Sequence, residues 1–138
     1  MFVFEKDPKD WLRKLTPLEW VHAGLAEARR GERAYKERPG KAGLACARRA
    51  AGMALNAILI VEPKEGWGRS YVDHLRGLSA DKTAPEVVRA QCNLLLETQP
   101  PGPNVITLRS TAFEAKIIDA AKDVIAHAYA RAVHAGAA

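Results

Sequence analysis

Apolar residues return along most of this chain at spacings of three and four. The longest such stretch, Lys41 to Val61 (KAGLACARRAAGMALNAILIV), is apolar around most of its circumference. A helix of that kind must be enclosed by other helices rather than rest on one surface. Gly43, Gly52 and the many alanines leave room for neighbouring backbones to approach. The stretch is therefore expected at the centre of an all-helical bundle.

The flanking segments carry narrower stripes. From Pro17 to about Glu37, the residues Leu18, Val21, Leu25 and Ala28 share one face, and Pro39-Gly40 ends the helix. Ser70 to Leu78 reads as a short helix with Tyr71, His74, Leu75 and Leu78 together. Ala84 to Thr98 turns Val88, Cys92 and Leu95 inward. Ala112 to about Val133 carries Phe113, Ile117, Ala120, Ala121, Val124 and Ala128. Three Thr-x-x-Glu capping boxes, Thr16/Glu19, Thr83/Glu86 and Thr111/Glu114, mark helix starts, each Thr accepting from a third-position N–H while the Glu reaches back. Pro8 to Lys14 reads as a further short helix capped by Asp7. Pro100-Pro101-Gly102-Pro103 forces an extended segment, along which Ile106 and Leu108 alternate with polar neighbours. The expectation is an all-α, antiparallel up-and-down four-helix bundle with one or two additional short helices. It forms one domain over 1–138, with a short helix at 8–14 and the bundle over 16–134.

A chain of 138 residues can bury a core without staples. Cys46 and Cys92 both fall inside expected helices, where buried thiols are the reading that composition favours. The most apolar run, Met53 to Val61, is interrupted by Asn56 and followed by Pro63, so no membrane partner is expected. The N-terminus lacks a basic start and a continuous apolar run, which makes the cytoplasm the expected compartment. The net charge of +5 is local: Arg29 to Arg49 holds eight basic residues against two acidic ones, and the remainder is close to neutral. That window includes Arg33, Lys36 and Arg38, and it reads either as an anion-binding patch for RNA or nucleotides or as a solvated helix end.

The order and length of these elements, together with Ala45, Cys46, Ala51, Leu55, Ala57 and Leu59 on the central helix, resemble the HEPN family over roughly residues 16 to 134. His74-Leu75 looks like that family's His-x-Leu region, and the proline-rich segment before the last helix also fits. One departure is Gly52-Met53, where the family usually carries polar or charged residues. The resemblance implies a homodimeric binding module for a nucleotide, RNA or a partner protein. Its catalytic members, some of them toxins held by an antitoxin, imply an alternative: metal-independent RNA endonuclease chemistry.

For that alternative the chain offers Arg69-Ser-Tyr-Val-Asp-His74. Arg69 would stabilise the crowded phosphate and His74 would move the proton of a ribose 2′-hydroxyl. Trp67 and Tyr71 would stack on a base. The same residues admit a structural reading, in which His74 bonds a helix end and Trp67 plugs the bundle. His22, His127 and His134 stand at no metal-ligand spacing, although His127 and Arg131 share a face. The chain has no phosphate loop, dinucleotide fingerprint, His-Glu-x-x-His or nucleophile elbow, so neither a metal nor another cofactor is expected.

Overall fold

A computed structural model of the chain describes residues 2–37, 41–99 and 111–137. These form five helices: α1 (Pro17–Glu37), α2 (Lys41–Val61), α3 (Tyr71–Ala80), α4 (Glu86–Glu97) and α5 (Thr111–His134). No strand occurs among the described residues, as the helical periodicity predicts. The Pro39-Gly40 turn, the extended segment from Pro100 to Pro103, and Ile106 and Leu108 lie outside the described residues.

The central position expected of α2 is observed. Ala47, Ala50, Ala51, Ala54, Leu55 and Ala57 are fully buried, and α2 packs against each of the other four helices. Its closest neighbour is α1, which small residues admit at short range. A Cβ at Gly24 would fall 2.7 Å from the Ala50 carbonyl, and one at Gly31 would fall 3.0 Å from Cys46 Cβ. Tyr35 in turn lies over Gly43. Partners on α2 fall in number as those on α1 rise, so the two helices run antiparallel. Ile118 meets Gly31 near the start of α2, while Arg131 pairs with Glu62 beyond its end. Helices α2 and α5 therefore run in the same direction. Their C-terminal ends, the end of α3 and the start of α4 meet at one end of the bundle.

The helix starts follow the caps in part. At α1 the predicted box forms: Glu19 N–H donates to Thr16 Oγ1 at 3.1 Å, and Thr16 N–H donates to Glu19 Oε1 at 2.9 Å. At α4 it does not. Thr83 turns back and donates both its N–H and its hydroxyl to Asp81 Oδ1, and Pro85 occupies the N-cap position without a side-chain bond. Asp81 sits closer to Thr83 than Glu86 does, and the local Asx turn wins the hydroxyl. The missed cap is Ser70, whose Oγ accepts from Asp73 N–H at the start of α3. The side chain of Thr111 lies outside the description.

The helix expected over 8–14 is replaced by turns. Asp7 Oδ1 accepts from Lys9 N–H, and Asp10 Oδ1 accepts from both Leu12 and Arg13 N–H. Two aspartates three residues apart thus divert the backbone from a helical ladder into consecutive side-chain-capped turns. The Trp20 indole N–H donates to the Leu12 carbonyl at 2.7 Å and ties this segment onto α1. Phe2, Phe4, Trp11, Leu12 and Leu15 pack against the core.

Cys46 and Cys92 are both buried free thiols, and burial pushes the Cys92 thiol up to about 12. Among the described residues one stretch of helix, Ala42–Val61, is long and apolar enough to cross a membrane, and it is mostly buried inside the bundle.

Candidate functional site

Trp67, Arg69, Tyr71 and His74 do come together, in a cluster completed by a residue from the N-terminal turns. Gly66 and Gly68 adopt φ of 84° and 68°, a region that glycine enters without Cβ strain. The doubled turn swings Trp67 inward until it is only 6% exposed, with its indole laid over Gly77. Of the two readings of Trp67, stacking platform or plug, this packing favours the plug: the glycines aim the ring at the bundle instead of at solvent.

His74, in the first turn of α3, has no exposed surface. Its ring lies 6.2 Å from Trp11, 6.4 Å from Trp67 and 6.2 Å from Tyr71, centroid to centroid. Nδ1 faces the Gly52 carbonyl at 3.4 Å, and Nε2 faces the Gly68 carbonyl at 3.1 Å. A neutral imidazole has one N–H, so it serves only one of these acceptors at a time. Burial lowers its pKa, against the opposing pull of the two carbonyls and Asp73.

Arg69 is exposed, and its guanidinium stands 5.4 Å from the centroid of Trp11. Trp11 therefore touches both Arg69 and His74, and no hydrogen bond joins those two among the described residues. The Arg-x4-His pair is linked through an indole rather than aimed jointly at an open cleft.

The basic window divides into two classes. Arg48 is spent inside: Nε donates to the Leu95 carbonyl at 2.7 Å, and a second nitrogen donates to the Leu96 and Thr98 carbonyls, capping the C-terminal end of α4. Arg49 and Arg30 share the buried carboxylate of Glu27, at 2.6 and 3.4 Å. By contrast, Arg29, Arg33 and Lys36 are exposed, recur at helical spacing on α1, and form no ion pair among the described residues. Lys36 stands at the rim of a cleft of about 390 Å³ between α1 and α5, where Lys122 pairs with Glu32 at 2.5 Å. Arg38 lies outside the described residues.

A second cavity, of about 430 Å³, opens at the end of the bundle where α2, α3 and α5 finish and α4 begins. Ile58, Leu78, Trp67 and Ala84 form its apolar part, and Glu62, Lys64, Asp81, Thr83, His127 and Arg131 its polar part. Three helix C-termini attract cations, which accounts for Lys64 and Arg131 gathering there. Arg131 binds Glu62 Oε1 through two nitrogens. Lys64 lies 3.8 Å from Glu62 and 3.7 Å from Asp81, too far for a hydrogen bond to either. Burial and then Arg131 lower the pKa of His127, with Glu62 and Asp81 opposing.

Sequence spacing pointed to the His127/Arg131 pair but not to Glu62, Lys64 or Asp81, which come from the loop after α2 and the end of α3. His22 and His134 are exposed. Among the described residues no three His, Cys, Asp or Glu side chains gather as a metal site. No protein-family model, curated protein or solved structure matches the chain.

Proposed function

We propose that this chain is a HEPN-like helical binding module that holds an RNA strand against the exposed face of α1, working as a homodimer. One observation carries the reading: among the basic side chains described between Arg29 and Arg49, Arg29, Arg33 and Lys36 are exposed on one face and form no ion pair with another described residue. Guanidinium and ammonium groups repeated along an exposed helix face suit the regularly spaced phosphates of a polymer. His22 stands on the same face, two turns before Arg29. Dimerisation is supported by Tyr129 and Val133, large apolar residues four apart on α5 that remain 49% and 47% exposed.

The endonuclease alternative has less in its favour. A general base must reach the proton that it takes. His74 is enclosed by three aromatic rings with each ring nitrogen facing a backbone carbonyl, an arrangement that supports a packing role.

The test is fluorescence anisotropy of a labelled single-stranded RNA across a salt series. Wild-type affinity should fall with salt. The Arg33→Ala/Lys36→Ala variant should bind more weakly and with a shallower salt slope. Absence of salt-sensitive binding by the wild type would reduce the face to a solvated surface. RNA cleavage that is lost in His74→Ala would restore the endonuclease alternative.

A further inference from the structure

We propose that the end cavity is a binding site for a free α-amino acid with an apolar side chain, separate from the basic face of α1. The volume, about 430 Å³, falls in the range of small-molecule sites, roughly 300–1,000 Å³. Its charge is balanced, with Lys64 and Arg131 against Glu62 and Asp81. A balanced site does not favour a phosphate or another multiply charged anion, which would leave net charge in a half-enclosed space. It favours a molecule that itself carries one charge of each sign.

The bonding pattern sharpens this. Lys64 Nζ lies between two carboxylates without a hydrogen bond to either. Glu62 Oε1 is engaged by Arg131 and Asp81 Oδ1 by Thr83. Among the described residues Glu62 Oε2 and Asp81 Oδ2 make no hydrogen bond and have Lys64 as their ion-pair partner, and the His127 ring makes no hydrogen bond. Charges 3.7–3.8 Å apart gain by an insert that bonds directly to each. An α-carboxylate would accept from Lys64 Nζ, and an α-ammonium would donate to Glu62 Oε2 or Asp81 Oδ2. The side chain would lie on Ile58, Leu78 and Trp67. His127, whose pKa is lowered first by burial, adds a hydrogen-bonding group at the same wall.

The experiment titrates the intact chain with free L-leucine and L-phenylalanine, following amide and indole N–H signals by heteronuclear NMR. The N-acetyl derivative, the methyl ester and inorganic phosphate serve as controls. Saturable shifts centred on Trp67 and His127 are expected from at least one free amino acid, with each blocked derivative about tenfold weaker or worse. Lys64→Met, a change at a side chain 30% exposed, should keep the helical spectrum and lose binding by a similar factor. His127→Gln supplies a second variant with the fold retained and affinity reduced. The proposal is overturned if neither amino acid saturates, if a blocked derivative or phosphate binds equally well, or if Lys64→Met binds as wild type. None of these outcomes bears on RNA binding at Arg33 and Lys36.

Discussion

The Arg48 guanidinium on α2 donates to the Leu95 carbonyl on α4 at 2.7 Å, so one arginine from the most basic stretch of the chain serves as the C-terminal cap of another helix. Its role is opposite to that of Arg33, fifteen residues earlier in the same basic window, which faces solvent.

Arg48→Met should leave the Leu95, Leu96 and Thr98 carbonyls without their charged donor and lower the unfolding free energy by about 2–3 kcal/mol. Urea denaturation reads this directly. RNA affinity at low salt should be almost unchanged. Arg33→Ala should show the reverse pattern, with an unaltered urea midpoint and weaker binding. Equal loss of affinity in both variants would show that the window acts as a diffuse charge.

Tyr71 lies so close over Gly52 that a Cβ there would fall 2.2 Å from Tyr71 Cβ and 2.7 Å from its Cα. Gly52→Ala is expected to cost about 1–3 kcal/mol or more, because part of the obstruction is backbone. Tyr71→Ala alone opens a smaller defect at the rim of the His74 cluster. Tyr71→Ala keeps the Cβ that makes the closest contact, so recovery requires Gly52→Ala combined with Tyr71→Gly, read as a favourable coupling in a double-mutant cycle. Strict additivity would mean that α3 moves away as a unit.

Stability should fall as pH drops below 6.5, the ordinary value for histidine. Burial lowers the folded-state pKa of both His74 and His127, so the unfolded chain takes up protons first. The sign is that of a buried neutral base: the contribution is complete above 6.5 and is lost progressively below it. The carboxylates with lowered pKa, among them Glu19, Glu32 and Asp81, add their own losses only toward and below pH 4.5. Urea midpoints between these limits should slope upward with pH, and His74→Gln should flatten part of that slope. A slope identical in wild type and variant would assign the effect to His127.

Tyr129 and Val133 on α5 are expected to lie in the dimer interface. Light scattering at micromolar protein should return about twice the 15.1 kDa chain mass, and Tyr129→Lys/Val133→Lys should return a single chain with an unchanged helical spectrum. A wild-type monomer would remove the dimer from the proposed function.

Much of the architecture was legible in the sequence because helices are specified by local periodicity. The stripe of α5, the enclosure of α2, the Thr16/Glu19 box and the inward Cys92 and Leu95 all depend on residues within two turns of one another. Local rules failed where two local partners competed. Asp7 and Asp10 turned an expected helix into turns, and Asp81 took the hydroxyl that the Thr83 box required.

The roles of the chemically suggestive residues were decided only by tertiary packing. Arg29, Arg33, Arg48 and Arg49 are one residue type in one window, yet two face solvent, one caps a helix across the bundle and one pairs with Glu27. Arg69 and His74 have the spacing of a catalytic pair, but Trp11, more than fifty positions earlier in the sequence, lies against both of them. Glu62, Lys64, Asp81 and Arg131 carry no motif, and they share a cavity only because three helices end together there. Periodicity says which side of a helix is buried. What a charged or aromatic group meets on the other side depends on chain segments far away, and so on how the helices pack.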